Sequence, residues 1–489
     1  MRAARAAVAF AAFAVIAVPF FAATTFLGDD HVFLAFARHA PNPLVAFVRD
    51  QHGGEFYRPV PMLLWWVLAR VGQGAAWPFA ALALALHLAS AALVGALVAA
   101  LGRGRAVATL AAVLFAVAPQ NLEAAYWFAA STDLLATTFA LAALVALARG
   151  RGTPAALLAT LAYLSKESAL VLPALAFVVL PDVEPLRRRF ARVVPLAALA
   201  LVVVIVRVRV LGGWGGSGDP TAPSLGRLLQ LASGLVHVGT GTAFLPEPIA
   251  WAAGGAALAA FALAAARQAR TESARAWVPL AFTAVALAPL FAAGWIVGAR
   301  YFYLPSVGLA WVAAELLAPR ARAAAVTAFA ILLGIGVIAA AARRAEIVAY
   351  DARVAAARAA VVEGARRGTR IFHVAGAVKD LDLAVKEDPA MAPFEADTLV
   401  LADVPASFVS MPPAFAERAA PLVATPPLPP SGAYRFGDRR VVGLARRGDE
   451  PTLEDVLARF PDMRFLRLRS TPDGHVVVRD VTAEMKAAD

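Results

Sequence analysis

The stretch WPFAALALALHLASAALVGALVAAL (77–101) decides the class of fold, because His87 is the only side chain in it that can carry a charge. A helix of this length rises about 37 Å, at ~1.5 Å per residue, which exceeds the ~30 Å hydrocarbon core of a bilayer. Several other apolar runs exceed about 18 residues, the length that a spanning helix needs. The sequence therefore predicts a polytopic α-helical membrane protein.

The composition of the whole chain agrees with membrane insertion. Of 489 residues, 61% are hydrophobic and 16% are charged, too few charges to cover a soluble protein of this length. The formal net charge is +11, but much of the arginine stands in short clusters at the ends of apolar runs, which favours contact with membrane lipid and not with nucleic acid. The absence of cysteine excludes disulfides, a thiolate nucleophile and a cysteine-ligated metal.

Short basic clusters predict the topology, because lysine and arginine accumulate in cytoplasmic loops. The clusters are MRAAR (1–5), GRGR (102–105), ARGRG (148–152), LRRRFAR (186–192), RQARTESAR (267–275) and PRARA (319–323). About eleven transmembrane helices fit between them, over 6–26, 77–101, 106–119, 125–147, two short helices within 154–181, 193–211, about 249–266, 277–294, 304–318 and 322–342. The first run is long enough to remain an anchor, although MRAAR and FFAA also fit a signal peptide.

The loops between these helices differ in character. Residues 28–76 form a long first outer loop, in which the apolar stretch 59–71 lies on or near the membrane surface. SKES interrupts the run 154–181, which predicts two short helices with Lys166 and Glu167 at an outer tip. The Gly/Pro/Ser-rich residues 212–224 predict a loop, and 225–247 predict an interfacial helix.

A change in composition after Arg343 predicts two domains, a transmembrane domain over 1–344 and a second domain over 345–489. The second carries regular charges and three β-like runs. These runs are RIFHVAG (370–376), DTLVLADV (397–404) and RVVGLARR (440–447), and a capped helix is predicted over 449–460. The pattern predicts a small C-terminal soluble α/β domain on the outer face of the membrane.

Ionisable residues at membrane depth or at span ends are costly, so each one is a functional candidate. Five clusters qualify, and the predicted topology puts all of them on the outer side. They are GDDH (28–31), EFYRPV (55–60), PQNLEAAYWFAASTDLL (119–135), LSKES (164–168) and GARYFYLPSVG (298–308).

The acids and the bases in these clusters suit different tasks. Asp29 and Asp30 could take a proton from a hydroxyl or hold a divalent cation such as Mg²⁺ or Mn²⁺, and the alternative is a solvated loop start. Arg58, Lys166 and Arg300 suit a phosphate. The alternatives are a headgroup anchor for Arg58 and a structural ion pair at a tip for Lys166 and Glu167.

The remaining candidates are acidic and aromatic. Tyr301 and Tyr303 could line a lipid or sugar site, and an aromatic belt at the membrane interface is the alternative. Glu123 and Asp133 are less routine than Tyr and Trp at a membrane interface, and both are candidates. Tyr57 and Glu167, from the second and fourth clusters, are also candidate substrate-binding residues. Acid–base groups and cations at one membrane face indicate phosphoryl-linked chemistry on a lipid-attached substrate.

The order of these motifs resembles the membrane half of the transmembrane and tetratricopeptide repeat O-mannosyltransferases. It is also similar to bacterial relatives in the dolichyl-phosphate-mannose protein mannosyltransferase group. The resemblance covers about residues 5 to 342, and its most specific pieces are YRPV, LSKE and RYFYLPSVG. These families are type C glycosyltransferases, polytopic enzymes that take a sugar from a polyprenyl phosphate carrier.

The resemblance implies roles for the candidates. Asp29 is expected to be the catalytic base that activates an acceptor hydroxyl, while Asp30 supports it or contacts the acceptor. The three cations Arg58, Lys166 and Arg300 are expected to hold the carrier phosphate, while Glu123 and Asp133 shape the sugar or acceptor pocket. The transfer would invert the anomeric centre. No cofactor is certain, and a divalent cation at the Asp pair stays open.

This chain departs from the family pattern in three places. The tetratricopeptide repeats are missing, residues 345–489 stand in their place, and PQN (119–121) stands where a histidine is common. His87 fits a family position, although a lone histidine in an apolar helix is more often a hydrogen-bonded core residue. The acceptor, a protein or a glycolipid, is therefore open.

Two other functions compete with the transferase. One is a transporter or flippase for a lipid-linked saccharide, and the other is a catalytically silent relative that binds glycolipid. The high Ala and Arg content and the scarcity of Lys indicate a GC-rich bacterial genome. The expected location is the bacterial inner membrane, with the site and the C-terminal domain on the periplasmic side.

Overall fold

The computed structural model describes most of the chain from Thr25 onward. The described residues are 25–40, 42–48, 56–180, 185–213, 232–236, 247–271, 277–293, 298–318, 322–375, 384–385, 389–391, 393, 398–402, 408–411, 434–436, 439–443, 462–471 and 476–486. The predicted first span, most of the 212–247 region and the predicted helix 449–460 lie outside them.

The described α-helices are, in chain order, α1 Asp29–His39, α2 Pro59–Gly72, α3 Trp77–Ala100, α4 Arg105–Val117, α5 Leu122–Tyr126, α6 Ser131–Ala148, α7 Gly152–Tyr163, α8 Leu172–Val179, α9 Leu186–Leu211, α10 Glu247–Thr271, α11 Val278–Ala293, α12 Ser306–Leu317, α13 Arg322–Arg366 and α14 Thr482–Lys486. Short 3₁₀ helices cover Pro43–Phe47, Pro119–Asn121, Phe128–Ala130, Glu167–Val171, Ala299–Phe302 and Pro389–Met391.

Among the described residues, three helices are long and apolar enough to cross a membrane. They are Trp77–Ala100, Phe128–Ala148 and Leu186–Leu211, and a fourth span results if Arg105–Val117 and Pro119–Tyr126 count as one helix bent by 57°. The part of the chain that the structure describes is therefore that of a helical protein suited to a membrane, and it contains fewer full-length spans than the eleven predicted for the whole sequence. The other apolar helices, α2, α8, α11 and α12, are shorter than a full span.

The structure confirms the predicted break in 154–181 and explains it. Helix α7 ends at Tyr163, Lys166 has extended backbone angles, and the chain resumes as a 3₁₀ helix and then α8. Arg189 donates a hydrogen bond to the carbonyl oxygen of Phe177 at 2.6 Å, and Arg192 donates one to that of Leu147. The predicted cytoplasmic cluster LRRRFAR thus satisfies carbonyl groups at the C-terminal ends of α8 and α6.

A residue of a second basic cluster forms an ion pair at another helix end. Arg103, in the turn before α4, forms an ion pair with Glu315 in the last turn of α12, with 3.0 Å between Nε and Oε1. The Trp311 indole N–H donates to the same carboxylate at 2.8 Å. Glu315 was not predicted from the sequence, because a single acid near a helix end has no distinguishing pattern.

Helix α13 continues well beyond the predicted last span. The sequence predicted a span over 322–342, but α13 continues without a break to Arg366. It contains no proline, and the composition change after Arg343 alters the polarity of its faces without stopping the helix. At ~1.5 Å per residue the helix is about 67 Å long.

Strands follow α13. The three β-like runs are confirmed as β1 Ile371–Ala375, β2 Leu399–Ala402 and β5 Arg439–Gly443; the others are β3 Phe408–Met411, β4 Tyr434–Phe436, β6 Arg464–Ser470 and β7 Val476–Asp480. One sheet has the order β2-β1-β6-β7, in which β1 is parallel to both neighbours and β7 is antiparallel to β6. The other is antiparallel, with the order β3-β5-β4. Val361 on α13 joins Phe372 and Leu466 in the core beneath the first sheet.

The chain divides into two compact units. The first consists of Met1–Thr24, Trp77–Val208 and Gly216–Arg344, and the second of Thr25–Ala76, Arg209–Gly215 and Ala345–Asp489. Residues 25–76, most of which form the predicted first outer loop, therefore belong to the same unit as the residues after Ala345. The predicted domains, 1–344 and 345–489, stay a prediction.

Helices α11 and α12 approach each other closely in the first unit. A Cβ atom at Gly308 would lie 2.2 Å from both the Pro279 carbonyl oxygen and the Thr283 hydroxyl oxygen. The Thr283 hydroxyl is buried between two carbonyl groups, those of Pro279 at 3.1 Å and Pro305 at 3.2 Å. Small residues commonly permit such contacts between membrane helices.

We expect Gly308→Ala to lower the free energy of unfolding by about 3 kcal/mol or more, because the new methyl group must displace backbone atoms of α11. Unfolding in detergent, by heat or denaturant, measures the effect. Gly255→Ala in α10 is the matched control: nothing lies within 4 Å of its added Cβ atom, so we expect a gain of about 0.5–1 kcal/mol. Equal effects of the two substitutions would contradict the close approach.

Candidate functional site

Four ionisable side chains of the first unit form a charged cluster, which consists of Glu123, Asp133, Lys166 and Arg300. They come from α5, from the first turn of α6, from the break between α7 and α8, and from the 3₁₀ helix Ala299–Phe302. All four were candidates from the sequence. The structure joins them into two ion pairs that face a common aromatic ring.

Proline and the broken helix place the first of these acids. Helix α4 ends at Val117 because Pro119 disfavours helical angles at Ala118 and provides no N–H group. The chain bends by 57° and forms only the short helix α5, which carries Glu123. Glu123, Tyr126 and Trp127 have the spacing of one helical face, but the helix ends at Tyr126 and Trp127 is extended.

The pair of Lys166 and Asp133 is buried. The ammonium group lies 2.6 Å from both oxygens of the carboxylate, and the two side chains are only 5% and 8% exposed. A buried charge costs several kcal/mol unless it has a close partner. The extended angles of Lys166, φ −161° and ψ 142°, belong to the same break that ends α7 before this residue.

The pair of Arg300 and Glu123 is more accessible, with side chains 22% and 21% exposed. Glu123 accepts from Nη1 of Arg300 at 2.7 Å and from its backbone N–H at 3.3 Å. The guanidinium group also lies over the rings of Trp127, at 4.3 Å, and Tyr301, at 4.6 Å. These contacts hold the planar group on three sides.

Electrostatics keep Arg300 charged. Burial by itself would lower the pKa of Arg300. The neighbouring Tyr301, Glu123 and Asp133 together raise this pKa by more than burial lowers it, so it lies above its ordinary value. Asp133 thus acts on both cations of the cluster, although it forms its ion pair with Lys166.

Tyr301 connects the two ion pairs. The Lys166 ammonium lies 4.8 Å from the centroid of the Tyr301 ring, and the Arg300 guanidinium lies 4.6 Å from it. Nη2 of Arg300 also donates to the Tyr301 hydroxyl at 3.2 Å. The charged cluster therefore contains two cations, two carboxylates and one shared aromatic ring. Its formal charge is balanced.

Gly298 leaves room for the Arg300 pair. A Cβ atom at this position would lie 3.0 Å from Nη1 of Arg300 and 3.2 Å from Oε1 of Glu123. An alanine here would require the ion pair to shift by a few tenths of an ångström. The ion pair leaves little space for a side chain at position 298, which explains why GARYFYLPSVG begins with glycine.

Two further predicted site residues, Glu167 and Tyr303, belong to the first unit. Glu167 forms an ion pair with Arg207 of α9, at 3.6 Å. Lys166 is part of a structural ion pair, with Asp133 as its partner, and the roles of Lys166 and Glu167 in substrate binding stay predictions. Tyr303 is fully buried, and its role in substrate binding stays a prediction.

His87 explains the position of Tyr303. Its Nε2 lies 2.9 Å from the Ala116 carbonyl oxygen, which can only accept, so Nε2 carries the proton. Nδ1 therefore accepts from the Tyr303 hydroxyl at 2.8 Å. The interpretation of His87 as a hydrogen-bonded core residue is confirmed.

A second buried contact was not predicted from the sequence. The Ser306 hydroxyl donates to Oδ1 of Asn121 at 2.9 Å, while the amide group of Asn121 donates to the Phe115 carbonyl oxygen at 2.8 Å. Together with the pair of His87 and Tyr303, it holds the segment around Arg300 against the segment around Glu123. Asn121 lies in PQN, the place where the family pattern often has a histidine.

The second unit contains the predicted base. Asp29 is the first residue of α1 and is partly exposed, whereas Asp30 is fully buried and accepts from the Leu27 backbone N–H at 2.8 Å. The two adjacent carboxylates therefore differ in surroundings. Asp30 stabilises the turn before the helix, and Asp29 is the one that remains accessible.

Tyr57 and Arg58 lie in the same unit. Tyr57 is buried and donates from its hydroxyl to the Phe47 carbonyl oxygen at 3.1 Å. Burial raises the pKa of Tyr57, which keeps the phenol protonated. Arg58 precedes Pro59, the first residue of α2, and its guanidinium stacks on the Phe56 ring at 4.0 Å.

The residues described by the structure contain no group of three His, Cys, Asp or Glu side chains that could hold a metal ion. A divalent cation at Asp29 and Asp30 stays a prediction, as do the catalytic and phosphate-binding roles.

We expect Asp133→Asn to destabilise the protein by about 3–5 kcal/mol, because it leaves the Lys166 ammonium buried without a carboxylate. Unfolding in detergent tests this. The double variant Asp133→Leu with Lys166→Met removes both charges and should restore most of the loss. Glu363→Gln, which breaks an exposed ion pair with Arg367, is the control and should cost less than about 1 kcal/mol. A loss from Asp133→Asn no greater than from this control would show that the pair is not buried.

Comparisons with known proteins add no assignment to this geometry: no protein-family model, no curated protein and no solved structure matches the chain.

Proposed function

We propose that the protein is an integral membrane glycosyltransferase. It moves a sugar from a polyprenyl phosphate carrier to the hydroxyl group of a protein or glycolipid and inverts the anomeric centre. The proposal includes a type C glycosyltransferase fold with about eleven spans in a bacterial inner membrane. The site and the C-terminal domain face the periplasm in this proposal.

One observation carries the proposal. Four of the residues that the motif resemblance assigns to phosphate and sugar binding, from three distant segments of sequence, meet at the charged cluster around Tyr301. Charged groups in a membrane protein are costly, and they commonly mark substrate pathways and binding sites. An aromatic ring between two cations also suits a sugar phosphate, since sugars bind to aromatic faces and phosphates to guanidinium groups.

The proposed reaction needs one base and one stabilised leaving group. The Asp29 carboxylate takes the proton of the acceptor hydroxyl while its oxygen forms a bond to the anomeric carbon. The bond from that carbon to the phosphate oxygen breaks on the opposite face, and the electron pair leaves with the carrier. The phosphate thereby gains a second negative charge.

The two cations of the charged cluster, Arg300 and Lys166, differ in solvent exposure, and we assign them different roles. Arg300 has five N–H groups, and its contacts with Glu123 and Tyr301 leave further donors for phosphate oxygens. We assign the direct phosphate contact to Arg300. Lys166 is buried with Asp133 and acts on the ligand through the position of Tyr301.

The first test is release of radiolabelled sugar from polyprenyl phosphate carriers by the purified protein in proteoliposomes. We expect Asp29→Asn to lower kcat by at least about 100-fold, because removing a general base typically costs 10²–10⁴-fold. Glu363→Gln is the control of unchanged activity. Equal rates for wild type and Asp29→Asn would remove Asp29 from the mechanism. Saturable binding without release from any carrier would favour the flippase or the silent glycolipid-binding protein.

A second substitution tests the phosphate contact. We expect Arg300→Lys to raise the KM for the carrier about 10-fold or more, since lysine lacks the planar fork and a charged hydrogen bond is worth about 1.5–3 kcal/mol. The same assay, run over a range of carrier concentrations, measures this change. An unchanged KM would place the phosphate elsewhere.

A further inference from the structure

We propose that Tyr350 and Asp351 of α13 form a positioning site for the turn that presents Asp29. This inference rests on the proposed function for its catalytic consequence, while its structural part stands alone. It assigns the helix before the C-terminal sheet a role in the reaction.

The turn before α1 has a conformation that only a few residues adopt. Gly28 has φ +48° and ψ −116°, which favours glycine. The Asp30 N–H donates to the Leu27 carbonyl oxygen and the His31 N–H to that of Gly28, both at 3.0 Å. Asp29 follows Gly28 directly, so the angles of this glycine set the direction of the Asp29 side chain.

Helix α13 holds this turn at two points. The Gly28 N–H donates to the Tyr350 hydroxyl oxygen at 2.8 Å, and the Thr25 hydroxyl donates to Oδ1 of Asp351 at 2.9 Å. The partners are 322 and 326 residues apart in sequence, and both contacts lie within the second unit. Two consecutive residues of one helix thus contact the chain on the N-terminal side of the predicted base.

The contacts act on position and not on chemistry. These two contacts use the backbone of Gly28 and the side chain of Thr25, so they act on Asp29 through the position of the turn. Losing the Tyr350 hydroxyl removes the acceptor of a partly buried N–H and loosens the turn. A general base displaced by about 1 Å can lose a large factor in rate without any change in substrate affinity.

The experiment compares Tyr350→Phe, which keeps the ring, with Thr25→Val, which keeps the shape of the side chain but removes its hydroxyl. Thr25→Ser retains the hydroxyl, and Glu363→Gln changes an exposed pair on the same helix. Amide hydrogen exchange of the peptide over residues 25–33 measures the turn. Sugar release from the polyprenyl phosphate carrier gives kcat and KM.

We expect faster exchange in this peptide for Tyr350→Phe and Thr25→Val, and wild-type exchange for Thr25→Ser and Glu363→Gln. The kcat of the first two should fall about 10-fold with the KM for the carrier unchanged, as a misplaced base requires. Unchanged exchange in Tyr350→Phe would overturn the contact. Faster exchange with unchanged kcat would overturn the positioning role.

The two proposals fail separately. If wild type releases no sugar from any carrier, the proposed function is wrong. The exchange measurement then still decides whether Tyr350 and Asp351 hold the turn.

Discussion

A buried ammonium group must have a carboxylate beside it, and this requirement organises the first unit. Lys166 and Asp133 lie in contact while almost entirely removed from solvent. Separating them would leave an uncompensated charge, so the break after α7 and the first turn of α6 must stay together. The same constraint keeps Tyr301 within reach of Lys166, and with it the segment that carries Arg300.

Interrupted helices supply the polar groups of the cluster. The chain is non-helical or 3₁₀ near Pro119, at Lys166 and at Arg300. In a continuous helix the backbone N–H and C=O groups at these positions would bond to each other within the helix. In membrane proteins such irregular backbone is tolerated where it is buried in protein or lines a cavity. The convergence of three interruptions in one region is therefore a stronger indication of a site than any single charged residue.

The sequence predicted the types of residue at this site but not their pairing. The break at Lys166 was predictable because SKES interrupts an apolar run, and β1, β2 and β5 were predictable from their short β-like runs. The pairing of Lys166 with Asp133 and of Glu167 with Arg207 was not, because both partners lie in other helices and nothing in the local sequence points to them. The length of α13 was missed because a change in polarity does not end a helix that lacks proline.

The balanced charge of the cluster bears on how a phosphate could bind there. Two cations that already face two carboxylates attract an anion weakly, until one pair opens or the anion gains charge. The Glu123–Arg300 pair is the more exposed, so its rearrangement needs less desolvation than that of Lys166 and Asp133. In the proposed reaction the leaving phosphate becomes more negative as the sugar departs, and the guanidinium then interacts more strongly with the transition state than with the bound carrier. Such a difference accelerates the reaction, whereas equally strong binding of both states would not.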